Sequence, residues 1–290
     1  MAITDALVPV AGLGTRLLPA TRSQPKEMLP IVDKPVVQYV LEELVRAGIS
    51  RVLFVTGRRK RAIEDHFDAD PELETGPLID PRTGLRILYT RQPSPAGLGD
   101  ALRYGEGLAP GGEGLVVALG DAIVETPPSV RRAIVPRLMD AFAPPGVAAV
   151  IAVAPVPDEL VSRYGIVVPA TGTSGTDPFE VGDVVEKPAL EMIDSRYAVM
   201  GRYVLGPSIF AALRETAADA SGEVQVADAL RIALGGGERV VAVPLAPAER
   251  RHDIGSVEGY CAAFLEYALR DPRFGDVLRA HAARLLHERD

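Results

Sequence analysis

The chain has a single cysteine, Cys261. A lone thiol excludes an intramolecular disulfide framework and fits a reducing compartment. Cys261 sits in the helix-patterned stretch GYCAAFLEYAL, where buried packing is its expected role. An excess of cations is also missing: 31 Lys and Arg stand against 39 Asp and Glu, a formal net charge of −8. That balance argues against nucleic acid as the main partner. It leaves phosphate binding open, because a cationic site acts over only about 10 Å at ordinary salt. No window contains the unbroken apolar run of a membrane helix, so no membrane partner is expected. The N-terminal residues lack the basic region and apolar core of a signal peptide, and a cytoplasmic location is expected. Internal repeats and low-complexity segments are absent. So is any Ser-His-Asp or Cys-His arrangement suited to covalent catalysis.

What is present is an ordinary globular composition, 47% apolar and 24% charged. A chain of 290 residues can bury one large α/β core or two smaller ones. Apolar runs at 7–10, 52–56, 85–89 and 115–119 read as strands. Between them, helical spacing covers 37–45, closed by Gly48, then 59–67 and 98–107. Alternation of this kind predicts a mostly parallel sheet with helices on both faces. In such sheets ligands gather beyond the carboxyl ends of the strands, where Gly12, Gln92 and Asp121 fall. After Glu125 the pattern loosens. Strands are expected at 147–153, 164–168, 179–186, 196–205 and 240–243, and helices at 207–216 and 224–233. The stretch 257–287 reads as helical, broken at Asp271-Pro272. Residues 69–84 read as a loop, and 171–177 as a polar, hairpin-like turn.

The densest chemistry lies in LVPVAGLGTRLLPATRSQPKEMLP, residues 7–30. Gly12 and Gly14 let backbone N–H groups approach an anion, since no Cβ intervenes. Arg16 can fork onto phosphate oxygens, and Lys26 adds a compact point charge. The glycines alone are a weak signal: the third glycine of the dinucleotide fingerprint is missing, and Thr15-Arg16 is not a P-loop ending. A second basic group, Arg58-Arg59-Lys60-Arg61, opens a helix whose dipole opposes it, and reads as a solvated surface without a role. Asp121 ends a strand, where a carboxylate serves equally as a metal ligand or as a turn or helix cap. Asp253 offers the same pair of readings before Gly255. Glu186-Lys187 before Pro188 reads as an ordinary surface turn or as an acid–base pair leaving the sheet.

Taken together, PKEMLPIVDKPVVQYV, HFD at 66–68, YGIV at 164–167, VVEKP at 184–188, GRYVL at 201–205, GEVQVADAL at 222–230 and HDIGSVEGY at 252–260 form an ordered set spanning nearly the whole chain. The set resembles the sugar-1-phosphate nucleotidyltransferases, and within them the bacterial UTP–glucose-1-phosphate uridylyltransferases. The resemblance implies an α/β, Rossmann-like nucleotidyltransferase fold. It would form a single domain over 1–290: a nucleotide-binding lobe to about 125, a smaller sugar-phosphate lobe over about 126–256, and C-terminal helices at 257–290. It implies condensation of a nucleoside triphosphate with a sugar-1-phosphate, Mg²⁺ as cofactor and a homo-oligomer, either dimer or tetramer.

By the same resemblance Arg16 and Lys26 are catalytic, and Ala11, Gly12, Gly14, Thr15, Glu27, Gln92 and Gly97 bind the nucleotide. Gly165, Glu186, Lys187 and Gly201 bind the sugar phosphate, and Asp121 and Asp253 hold the metal. Gln92 would form paired hydrogen bonds with a pyrimidine imide edge, and Gly97 would permit close packing under the base. Two departures stand out. The loop Gln92-Pro93-Ser94-Pro95 is similar to that of thymidylyltransferases, and Asp100 stands where uridylyltransferases carry His. Segment 69–84 is shorter than the family's helical insertion. Glu27 favours uracil, so the base remains open between uracil and thymine. A thymidylyltransferase, or an enzyme for an unusual sugar phosphate, is the alternative within this chemistry. A catalytically silent sugar-nucleotide-binding regulator is the alternative outside it. Against the latter, Arg16, Lys26, Asp121 and Lys187 are all retained.

Overall fold

The computed structural model describes residues 3–68, 78, 81–108, 113–172 and 178–288. Strands are β1 (Asp5–Pro9), β2 (Pro30–Ile31), β3 (Lys34–Pro35), β4 (Arg51–Thr56), β5 (Arg86–Arg91), β6 (Leu115–Ala118) and β7 (Ala122–Glu125). They continue as β8 (Val147–Pro155), β9 (Gly165–Pro169), β10 (Phe179–Glu186), β11 (Tyr197–Leu205), β12 (Arg239–Pro244) and β13 (Arg250–Asp253). Helices are α1 (Val36–Arg46), α2 (Arg61–Phe67), α3 (Leu98–Arg103), α4 (Ile134–Phe142), α5 (Pro207–Glu215), α6 (Val226–Gly235), α7 (Val257–Arg270) and α8 (Gly275–His287).

Among the described residues, one sheet runs in the order β5-β4-β1-β6-β11-β8-β12-β10-β9. Its first four strands are parallel, joined by crossovers through α1, α2 and α3. β11 turns the sheet mixed by pairing antiparallel to both β6 and β8, while β12 returns parallel to β8. The inner parallel strands β4, β1 and β6 are buried on both faces, so their residues alternate between two apolar layers, while the edge strand β5 stays half-exposed. In β1, Ala6 and Val8 pack into one layer and Leu7 into the other. β4 follows suit, with Val52 and Phe54 on one side and Leu53 and Val55 on the other. Helices α1 and α4 cover the first layer, and α3, α5 and α6 the second. Each buried aliphatic side chain stabilises this arrangement by about 1.5–3 kcal/mol.

Three features differ from the sequence expectation. α4 was hidden in an irregular stretch because Pro136 interrupts its pattern; it lies in the first turn, where a missing N–H costs little. β7 leaves the main sheet and pairs with β13, Asp253 standing opposite Ala122. Cys261 is exposed, not buried: α7 buries Ala263 and Ala268, and Cys261 is about 200° around the helix from Ala263. Of the loop expected at 69–84, residues 69–77, 79 and 80 lie outside the described residues, as do 173–177 of the expected turn.

Candidate active site

The carboxyl ends of β1, β5 and β6 open onto one side of the parallel half-sheet. Beyond β1 the backbone turns left-handed at Gly14 (φ 67°), and the Thr21 hydroxyl donates to the Gly14 carbonyl at 2.7 Å. A side chain at Gly14 would be strained and would crowd Thr21, 3.3 Å from its Cβ position. A short 3₁₀ turn, Lys26–Met28, then swings Lys26 back over the loop. Its Nζ lies 3.7 Å from where a Cβ on Gly12 would stand.

Lys26 forms an ion pair with Asp121. The β7–β13 ladder explains how Asp253 arrives beside them. Asp253 pairs with Ala122, and the N–H of Ile254 donates to the Asp121 carbonyl at 3.4 Å. Asp253 is itself held: Gly255 N–H donates to Oδ1 at 2.9 Å, and the Tyr164 hydroxyl donates to Oδ2 at 3.2 Å. Arg251 pairs with the same Oδ2 at 3.2 Å, its guanidinium over the Tyr164 ring. The helix that follows is capped by Ser256, whose hydroxyl accepts from Gly259 N–H, so Asp253 is not its cap.

Burial opposes charge on Lys26, but Asp121, Glu27 and Asp253 outweigh it and hold the ammonium above the usual lysine range. Burial likewise opposes charge on Asp121, and Lys26 and Arg251 more than offset it, holding the carboxyl below the usual range. A lowered folded value means that Asp121's contribution is complete once an unfolded aspartate is ionised. It is lost as pH falls through the lowered value. The stability difference between the wild type and Asp121→Asn should therefore be constant from about pH 5 to about pH 9 and shrink below about pH 4. Urea midpoints across that range would check it, and a difference that grows in acid would contradict the pairing.

Among the described residues no three His, Cys, Asp or Glu side chains cluster as a metal cage. Asp121 and Asp253 nevertheless border one cavity. Two carboxylates suit a hard divalent ion that takes the rest of its shell from phosphates and water. That cavity, about 440 Å³, is also lined by Arg16, Lys26, Glu186 and Lys187, with Gly165 and Gly201 in its wall. Lys187 Nζ pairs with Glu186 at 2.9 Å, and its backbone is left-handed (φ 44°), a conformation uncommon for a side-chain-bearing residue.

A second cavity of about 410 Å³ is lined by Ala11, Gly12, Gly14, Thr15, Glu27, Gln92 and Gly97. Lys26 and Asp121 border both cavities. Every residue expected at the site thus lies on one cavity or the other. Gly97 has a structural reason to be glycine: its φ is 93°, and a Cβ would stand 2.7 Å from the backbone of Val224. The Gln92 amide is not free for paired contacts, since its N–H groups already donate to Asp100 at 2.7 Å and Gly97 O at 3.2 Å.

The basic group at 58–61 splits, contrary to expectation. Arg58, Arg59 and Arg61 are exposed, whereas Lys60 is 5% exposed and bonds Glu27 at 2.7 Å. The left-handed backbone at Arg59 (φ 70°) reverses the chain and turns Lys60 inward. Burial pushes the Glu27 carboxyl up and the Lys60 ammonium down, each partner opposing the other's shift. The sequence reading also missed Arg202, Arg251 and Glu223. Arg251 lies one residue before the quoted HDIGS string, and Glu223 borders both cavities from the segment that packs on Gly97.

The profile of the family described as Nucleotidyl transferase matches residues 5–269. The UTP–glucose-1-phosphate uridylyltransferase of Streptococcus pneumoniae is 40% identical, over 98% of this chain and 96% of its own length. A UTP-bound UGPase from Acinetobacter baumannii superposes with a TM-score of 0.86 at 33% identity, covering 98% of this chain and 99% of that one. A UDP-glucose pyrophosphorylase complexed with UDP-glucose superposes at 0.81 with 36% identity, covering 93% and 100% respectively. None of the described helices is long and apolar enough to cross a membrane.

Proposed function

The chain belongs to the nucleotidyl transferase family, and on that premise we propose that it makes UDP-glucose from UTP and glucose-1-phosphate. A phosphate oxygen of the sugar phosphate attacks the α-phosphorus of UTP. A new P–O bond forms as the bond to the bridging oxygen of the β-phosphate breaks, and pyrophosphate leaves. No proton must move and no covalent enzyme intermediate is needed. The task is to hold two anions in line and to stabilise the charge that develops.

The observation that carries this reading is the sharing of Lys26 and Asp121 by the two cavities. The nucleotide's base and ribose would occupy the cavity around Gln92 and Gly97, and the sugar phosphate the one around Glu186 and Lys187. Their phosphates would meet at Lys26. Arg16 and the backbone of 11–15 would hold the triphosphate, and Lys187 would orient the attacking phosphate. Glu186 would accept from sugar hydroxyls. A divalent ion, Mg²⁺ in this proposal, would be held by Asp121 and Asp253 and would neutralise phosphate oxygens. The lobe boundaries expected near 125 and 256, a cytoplasmic location and a homo-oligomer belong to the same proposal.

Pyrophosphate release measured with UTP and dTTP, each against several sugar-1-phosphates, tests the reading. UTP with glucose-1-phosphate is expected to be the fastest pair. Faster release with dTTP would move the assignment to a thymidylyltransferase, the reading favoured by the Gln92-Pro93-Ser94-Pro95 loop. UDP-glucose binding without turnover in Mg²⁺ would replace the enzyme by a regulator. Lys187→Ala is expected to raise KM for the sugar phosphate by about 10–100-fold, the loss of one charge-assisted contact. An unchanged KM would remove Lys187 from its role.

A further inference from the structure

We infer that Asp100 is a positioning residue for base selection: it locks the Gln92 amide with only the carbonyl oxygen left for the base, and so selects a protonated ring nitrogen. The inference rests on the proposed function only in taking Gln92 as the residue that meets the base.

Gln92 is 3% exposed, and its backbone N–H is fixed to Thr56 O at 2.9 Å, at the end of β4. Its Nε2 donates to the Asp100 carboxylate at 2.7 Å and to Gly97 O at 3.2 Å. A carboxylate and a carbonyl only accept, so both neighbours demand the NH₂ end and the orientation of the amide is settled by chemistry. Both of its N–H groups are then occupied. Oε1 accepts no hydrogen bond among the described residues. It is also not among the buried side-chain atoms lacking partners, which are Tyr89 Oη, Arg137 Nε and Arg251 Nε. With Gln92 lining the nucleotide cavity, Oε1 is the group left open to it.

Asp100 is braced in turn. It lies in the first turn of α3, and Arg103 on the same helix stands 3.5 Å from its other oxygen. Arg103 also donates to Leu213 O at 2.9 Å and Thr216 O at 3.0 Å at the end of α5. The carboxylate therefore cannot swing away without giving up its pair with an Arg103 that is itself anchored to α5.

A lone acceptor distinguishes bases by one atom. Uracil and thymine present N3–H and can donate to Oε1. Cytosine in the same register presents an N3 lone pair, which would face another lone pair across a buried contact and leave both unsatisfied, and its N4 amino group reaches Oε1 only if the base leaves that register. With Asp100 in place Gln92 cannot turn its NH₂ toward cytosine. With asparagine there it can, because Asn offers Gln92 either an acceptor or a donor.

The test is equilibrium binding of UTP and CTP to the wild type, Asp100→Asn and Asp100→Glu, alongside pyrophosphate release. The wild type is expected to prefer UTP, and Asp100→Asn to lose about 10-fold or more of that preference, chiefly by gaining CTP. Asp100→Glu, still acceptor-only, should keep more of it than Asp100→Asn. A purely structural role would weaken both nucleotides together and leave their ratio unmoved. A UTP-to-CTP ratio preserved in Asp100→Asn within about twofold would overturn the inference. So would a wild type that does not discriminate or binds neither nucleotide. A wild type that prefers UTP but releases no pyrophosphate would sink uridylyl transfer and, if Asp100→Asn relaxes the preference, sustain this inference.

Discussion

Lys26→Ala is expected to lower the rate of pyrophosphate release by about 10²–10⁴-fold and to leave the protein folded. The size follows from position. Lys26 borders both cavities, at the place where an attacking phosphate and an α-phosphate would meet. Neighbouring carboxylates hold its ammonium charged across the neutral range, so the full charge is available as the transition state gathers negative charge. The Asp121 pair is not a large source of stability. The side chains are only 18% and 23% exposed, but Arg251 remains beside Asp121 when Lys26 goes, so the loss is about 1–2 kcal/mol, a fraction of the roughly 5–15 kcal/mol that holds a fold. The defect should fall mainly on kcat, because the interaction strengthens as charge develops. Lys26→Arg keeps the charge and is expected to recover only part of the rate, since a planar fork does not replace a point donor over Gly12. Pyrophosphate release by Lys26→Ala at the wild-type rate would remove Lys26 from the chemistry.

Much of this site was legible in the sequence, for a topological reason. In a parallel half-sheet the loops after β1, β5 and β6 must emerge on one side, so Gly12, Gln92 and Asp121 could be placed together before any coordinates. What was not legible depends on partners far apart along the chain. Lys60 looks like part of a solvated Arg-Lys run until the left-handed turn at Arg59 carries it to Glu27, 33 positions away. Arg202 is an ordinary strand residue by pattern, and its partner Glu43 is 159 positions distant. The β7–β13 ladder, which brings Asp253 to Asp121, joins two four-residue strands too short to announce themselves. Gln92 and Asp100 are close enough in sequence to be read together. Their residue types name a donor and an acceptor but do not say that they meet.

Beneath Asp121 lies the prediction with the largest expected effect on stability: Glu43→Ala should cost about 3–5 kcal/mol. Arg202 is fully buried in β11, and Glu43 from α1 takes its Nη2 at 2.7 Å and its Nε at 3.2 Å. The same guanidinium donates to Ala122 O at 2.8 Å, Gly201 O at 3.0 Å and Leu119 O at 3.4 Å. Truncating Glu43 leaves these contacts but strands a charge in a site water does not reach, and that desolvation sets the cost. Thermal unfolding should shift down by on the order of 10 °C. Because the carbonyls held by Arg202 flank Asp121, kcat should fall with stability even at temperatures where the variant is folded. A double variant, Glu43→Leu with Arg202→Met, removes both charges together and should be more stable than Glu43→Leu alone, which keeps the volume but strands the guanidinium, although the carbonyls lose their donor. That ordering separates a buried charge needing compensation from simple loss of packing volume. If Glu43→Ala costs less than about 1 kcal/mol, the guanidinium is satisfied by its carbonyl partners alone and the Glu43 pair is not a large source of stability.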